Sequence, residues 1–103
     1  MPYLIFTDEA NAGIRRCMAY LHVRSLTAEK KAQIAIRRQI NKLKRSPYIG
    51  RPYDPPGGTP DRSLRELVIR FGGKGSYLAL YQYRPEQDEI RIIAFKHGQE
   101  ARY

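Results

Sequence analysis

Apolar positions along the chain follow three regimes. Tyr3–Thr7 (YLIFT) is a short β-prone run and reads as a strand. From Ala10 the spacing changes to steps of three and four. Ala10, Ile14, Cys17 and Leu21, with Met18 alongside, mark one face of an amphipathic helix that ends near Ser25. Thr7 or Asp8 can cap it, and Asp8 and Glu9 sit where the helix dipole favours carboxylates. Gly13 inside this helix costs about 1 kcal/mol against Ala. Thr27 is the next capping residue. Ala28, Ala32, Ile36, Ile40 and Leu43 form a second stripe, and Ser46-Pro47 ends it because a residue before proline leaves the α region. So short a connection makes the pair a helical hairpin.

Residues 47–63 (PYIGRPYDPPGGTPDRS) break both periods with five prolines and three glycines. They are expected to form a connector without regular structure, with Tyr48 and Tyr53 as anchors. Beyond it the period is two. Three runs between Leu64 and His97 are separated by Gly72-Gly73-Lys74-Gly75 and Pro85-Glu86-Gln87-Asp88, the punctuation of an antiparallel meander. Alternation places Arg65, Leu67, Ile69 and Phe71 opposite Glu66, Val68 and Arg70. It places Tyr77, Ala79, Tyr81 and Tyr83 opposite Leu78, Leu80, Gln82 and Arg84, and Ile90, Ile92, Ala94 and Lys96 opposite Arg91, Ile93, Phe95 and His97. One face packs on the helices. The other is half apolar, which points to a partner or dimer contact. The expected fold is α+β in one domain over residues 1–103: an N-terminal strand, a helical hairpin and a three-strand meander in a four-stranded, mainly antiparallel sheet.

Composition narrows the function. Nineteen Lys+Arg against ten Asp+Glu leave a formal charge of +9 on 103 residues, a field that favours a polyanion or an acidic protein. The stretch around the second helix carries Lys30, Lys31, Arg37, Arg38, Lys42, Lys44 and Arg45 against Glu29 alone, seven minus one, or +6. It is either a solvated outer face or a docking surface. Cys17 is the only cysteine and His22 and His97 the only histidines, which argues against a disulfide or a metal site. No cofactor is implied. The opening Tyr3–Phe6 run is too short for a signal peptide or a membrane span, so the expected compartment is the cytoplasm.

Three constellations can carry chemistry. Gly72-Gly73-Lys74-Gly75-Ser76 offers amides and a lysine to an anion, but it lacks P-loop spacing and leads into a strand, as a glycine hairpin does. Tyr77, Tyr81 and Tyr83 beside Arg84 and Arg91 can stack single-stranded bases or serve as ordinary sheet tyrosines. Arg65, Arg70, Lys96, His97 and Tyr103 hold the acid, base and cations that metal-free RNA cleavage needs. Each of these also has a purely structural role open to it.

The order strand, hairpin, proline-rich connector, meander resembles the RelE/ParE superfamily of type II toxins. The specific marks are Ser46-Pro47, Gly50-Arg51-Pro52, Leu64-Arg65-Glu66-Leu67-Val68-Ile69, Ser76-Tyr77-Leu78-Ala79-Leu80-Tyr81, Ile92-Ile93-Ala94-Phe95-Lys96-His97 and Gln99-Glu100-Ala101-Arg102-Tyr103. The likeness is to the ParE-type, plasmid-stabilisation branch. It implies a small basic bacterial toxin held in a hetero-oligomer by a cognate antitoxin, with DNA gyrase as the expected target. RelE-type members instead cut mRNA on the ribosome with a basic set. The first-strand positions of that set fall here on Glu66 and Val68, the second-strand arginine on Leu78, and a later arginine on or near His97; only Tyr103 has a counterpart. An acid and two apolar side chains do not stabilise a phosphorane's charge. The resemblance therefore implies a toxin that acts by binding, through Lys30, Lys31, Arg37, Arg38, Arg65, Arg70, Arg91, Lys96, His97 and Tyr103. A ribosome-dependent nuclease using Arg65, Lys96, His97 and Tyr103, or a plain nucleic-acid-binding module, is the alternative.

Overall fold

The computed structural model describes residues 1–55, 57, 63–71 and 75–100. Tyr103, Gly72, Gly73 and Lys74 lie outside them. Strand β1 (Tyr3–Phe6) leads into helices α1 (Asp8–His22) and α2 (Leu26–Lys42). Then follow β2 (Arg51–Pro52), β3 (Leu64–Arg70), β4 (Ser76–Arg84), a 3-10 turn (Pro85–Gln87) and β5 (Glu89–His97). The strands form one sheet in the order β1-β5-β4-β3-β2, with β1 parallel to β5 and the other pairs antiparallel.

The sheet has five strands, where periodicity predicts four. The fifth is β2, which pairs Arg51 with Glu66 and Pro52 with Arg65 at the far edge. Two residues are too few to show a period, and a proline is tolerated there because an edge strand has one unpaired side. The connector is also anchored from the sheet. The buried Tyr81 hydroxyl donates to Pro47 O (2.7 Å) and accepts from Gly50 N (2.9 Å). A Cβ on Gly50 would stand 2.6 Å from the Tyr81 ring, so only glycine passes there. Tyr48 is exposed, edge-on to Tyr83 at 5.2 Å.

Both helices are capped by side chains. Thr7 Oγ1 accepts from Ala10 N (3.1 Å), and Ser25 Oγ accepts from Ala28 N (3.1 Å), so α2 starts before the Thr27 expected as its cap. The predicted stripes face inward: Ala10, Cys17 and Met18 from α1, and Ala32, Ile36 and Ile40 from α2, with Leu43 just beyond, are buried. Gly13 explains itself here, since a Cβ would lie 2.1 Å from Phe95 O. The missing side chain lets α1 rest on β5.

The meander faces agree with alternation until β5. A bulge between Leu80 and Tyr81 in the β4–β5 register leaves Ile93 unmatched, with Tyr81 opposite Ile92 and Leu80 opposite Ala94. The extra residue inverts the parity. Phe95 and His97 therefore join the helix side with Ile90 and Ile92, while Ala94 and Lys96 turn to the outer face, opposite to the simple alternation. Thr7 pins this bulge, its hydroxyl donating to Ile93 O at 2.6 Å. The core on the helix side is Leu67, Ile69, Tyr77, Ala79, Tyr81, Ile90, Ile92 and Phe95 against the two helices.

Candidate functional site

Two surfaces bear on the cations and the meander faces. The first is a groove of about 480 Å³ where β1 meets the hairpin. Leu4 and Phe6 reach it from β1 because period two puts both on the helix side. Ile14 and Met18 reach it from α1, and Ile36 and Ile40 from α2, because steps of four keep each pair on one helix face. Arg37 stands on the rim. A second depression of about 340 Å³ continues over α2, shares Gln33, Arg37 and Asn41, and adds Ile34 and Arg38. Lys30, Lys31, Arg37 and Arg38 are exposed, and none makes an ion pair among the described residues. Lys44 and Arg45 lie past the end of α2 in a turn. The surface combines an apolar floor with unspent positive charge.

The second surface is the sheet face turned away from the helices. Its registers form rows: Val68–Leu78–Lys96, Glu66–Leu80–Ala94, and Gln82–Arg91–Ile5. Charge in these rows is largely spent internally. Arg51 Nε donates to buried Glu66 at 2.9 Å. Arg91 and Arg84 both approach Glu89 Oε2, at 3.1 and 3.6 Å, without hydrogen-bond alignment, and buried Arg91 Nε has no hydrogen-bond partner. Buried Lys96 donates its ammonium to Glu100 O at 2.8 Å.

Among the described residues, the candidate nuclease side chains Arg65, Lys96 and His97 do not converge. Arg65 lies on the helix side, opposite Tyr81, and its guanidinium donates to Gly50 O (2.7 Å) and Tyr48 O (3.2 Å). Lys96 is on the outer face and His97 on the helix side, opposite Tyr77. Four residues of strand separate the Arg65 and His97 rows, roughly 13 Å. Arg70 is exposed at the end of β3. Tyr77 and Tyr81 are buried in the core, which removes them from any stacking platform; Tyr83 is half-buried. Burial raises the hydroxyls of both core tyrosines, that of Tyr77 to about 12; at Tyr81 the Gly50 amide and the Arg65 charge work against it. No group of His, Cys, Asp and Glu able to hold a metal occurs among the described residues.

Sequence patterns named the cations of the first surface but not its floor. The signal was present: Leu4 and Phe6 alternate, and Ile14/Met18 and Ile36/Ile40 each stand four apart. What they leave open is a topological fact, that β1 joins the sheet beside β5 rather than elsewhere.

The family model described as ParE toxin of type II toxin-antitoxin system, parDE, matches residues 4–102. A chain of the crystal structure of the intact E. coli RelBE toxin–antitoxin complex superposes with a TM-score of 0.62 at 16% identity, over 97% of this chain and 100% of that one. This likeness shows a shared fold. A search of curated proteins found no match.

Proposed function

The chain belongs to the ParE toxin family of type II toxin–antitoxin systems, and we propose that it acts as a toxin by binding, with DNA gyrase as its target and a cognate antitoxin as its inhibitor. One observation carries the preference for binding over RNA cleavage. Glu66, Val68 and Leu78, where the RelE-type basic set would lie, form one patch of the outer sheet face, with Glu66 opposite Leu80 and Val68 opposite Leu78. That patch offers apolar surface and a carboxylate already held by Arg51. The cations beside that patch are already engaged, Arg51 by Glu66 and Lys96 by the Glu100 carbonyl, so developing negative charge on a cleaved phosphate would have to draw them away from those partners.

The groove between β1 and the hairpin supports the antitoxin half of the proposal. An acidic, amphipathic segment meets both its requirements, apolar side chains for the floor and carboxylates for Arg37, Arg38, Lys30 and Lys31. Such a segment orders as it binds, so the contact must offset its lost chain entropy, which an apolar floor does better than charge alone. Among the described residues no helix is long and apolar enough to cross a membrane.

The experiment adds purified toxin to a gyrase supercoiling assay and, in parallel, to a translation reaction read by primer extension. Accumulated cleaved DNA with intact mRNA is expected. Cuts in mRNA at ribosomal positions, with gyrase unaffected, would overturn the proposal in favour of RelE-type cleavage. Growth arrest that added antitoxin does not relieve would remove the toxin–antitoxin pairing itself.

A further inference from the structure

A third concavity serves neither surface. Where β3 ends, β4 begins and β5 ends, beneath the C-terminal half of α1, lies a cleft of about 540 Å³. That is within the usual range for small-molecule sites. Its walls are largely aromatic. Phe71 and Tyr77 are stacked, centroids 4.9 Å apart and planes 2° from parallel, and His97 meets Tyr77 edge-on at 5.5 Å. Tyr20 stands exposed at the mouth, with the Arg24 guanidinium 3.5 Å over its ring. We propose that this cleft binds a small, neutral, planar heterocycle that carries a hydrogen-bond acceptor.

Three observations define that ligand. The first is Tyr77, only 1% exposed, whose hydroxyl has no hydrogen-bond partner among the described residues although the side chain lines the cleft. The hydroxyl is not sealed in, since among the described residues only Glu89 Oε2 and Arg91 Nε are buried without a partner; it keeps surface on the cleft and stands open there as a donor. Second, the two buried side chains that bring a proton to the cleft, the Tyr77 hydroxyl and the Cys17 thiol, keep it. Burial first, and then the Cys17 thiol, push the Tyr77 hydroxyl up to about 12. Burial and then the Glu100 carboxylate push the Cys17 thiol up to about 11. Third, the ion pair at the rim is closed on itself, Arg16 donating to Glu100 at 2.8 Å. A charged ligand would have to break that pair, whereas a neutral ring need not. His97 is held as a wall, its Nδ1 accepting the Gln99 amide at 3.1 Å.

The test titrates the ¹⁵N-labelled full chain with adenine, uracil and indole. The first two carry ring or carbonyl acceptors and indole carries none. Saturable shifts at the Leu21, Tyr77 and His97 amides are expected for adenine or uracil and not for indole. Tyr77→Phe should keep the melting temperature and weaken binding about tenfold, the worth of one buried hydrogen bond. Leu21→Trp, which fills the cleft from α1, should abolish the shifts while the outer sheet face stays unperturbed. Absence of saturation with both bases, equal binding by Tyr77→Phe, or undiminished binding by Leu21→Trp would each overturn the proposal.

Discussion

At the scale of single residues, Thr7 ties together parts of the chain that are far apart in sequence. Thr7 caps α1 and donates to the bulged Ile93 carbonyl. Thr7→Ala removes both contacts and should destabilise by about 1–2 kcal/mol. At roughly 4–8 °C per kcal/mol for a chain of this size, calorimetry resolves that loss. Thr7→Ser, which keeps the hydroxyl, should recover most of it. Cys17 and Tyr77 give a pH signature. Both hold their protons more tightly folded than in their ordinary state, at about 11 against 9.0 and about 12 against 10.0. A raised folded value means the stability is fully present below the unfolded value and is lost as pH rises through the folded one. Urea midpoints should therefore hold to about pH 9 and fall towards pH 12, and Tyr77→Phe should make the fall shallower. A midpoint independent of pH over that window contradicts the assignment.

At the scale of elements, Gly13 sets two preferences against each other. In an isolated α1 peptide, Gly13→Ala should raise helicity, since alanine is the better helix former by about 1 kcal/mol. In the whole protein the same change drives a methyl into the Phe95 carbonyl, 2.1 Å away, and should destabilise by about 1–3 kcal/mol. Circular dichroism of the peptide and thermal melts of the protein should thus move in opposite directions. This contrast shows what periodicity can reveal. The stripes Ala10–Leu21 and Ala28–Leu43 and the alternation of β3 and β4 depend on local burial, and local burial leaves a period in the chain. Gly13 carries no such mark, because the reason for it is the backbone of an element 82 positions later. The bulge at Ile93 was likewise invisible, since Ile92–Phe95 is apolar on both parities and either phase satisfies the pattern there. Strand β2 was hidden in a proline-rich stretch. Of the site, the cations were legible by residue type. The separation of Lys96 from His97 by sheet face, and the consumption of Arg65 by backbone carbonyls, needed the register.

At the scale of the molecule, a formal +9 is divided unequally between the two sides. The outer sheet face spends Arg51, Arg84 and Arg91 on Glu66 and Glu89, whereas Lys30, Lys31, Arg37 and Arg38 on α2 face solvent without ion pairs among the described residues. Long-range attraction for an acidic partner therefore centres on α2, beside the apolar groove. These two features act at different stages of association. Exposed charges raise the rate of encounter and are screened over about 10 Å at 0.1 M salt. Apolar burial sets how long the complex lasts. With the antitoxin, raising salt from about 0.05 to about 0.5 M should cut the association rate by an order of magnitude or more and leave dissociation nearly unchanged. Reversing Arg37 and Arg38 to Glu should abolish most of that salt dependence. Truncating Met18 or Ile36 to Ala at the groove should do the opposite, speeding dissociation with little change in the association rate; variants of intact melting temperature would make the comparison valid, because both side chains also belong to the core. If the α2 reversals leave the salt dependence of association as it was, the steering charge lies elsewhere on the molecule and the groove loses its claim to the antitoxin.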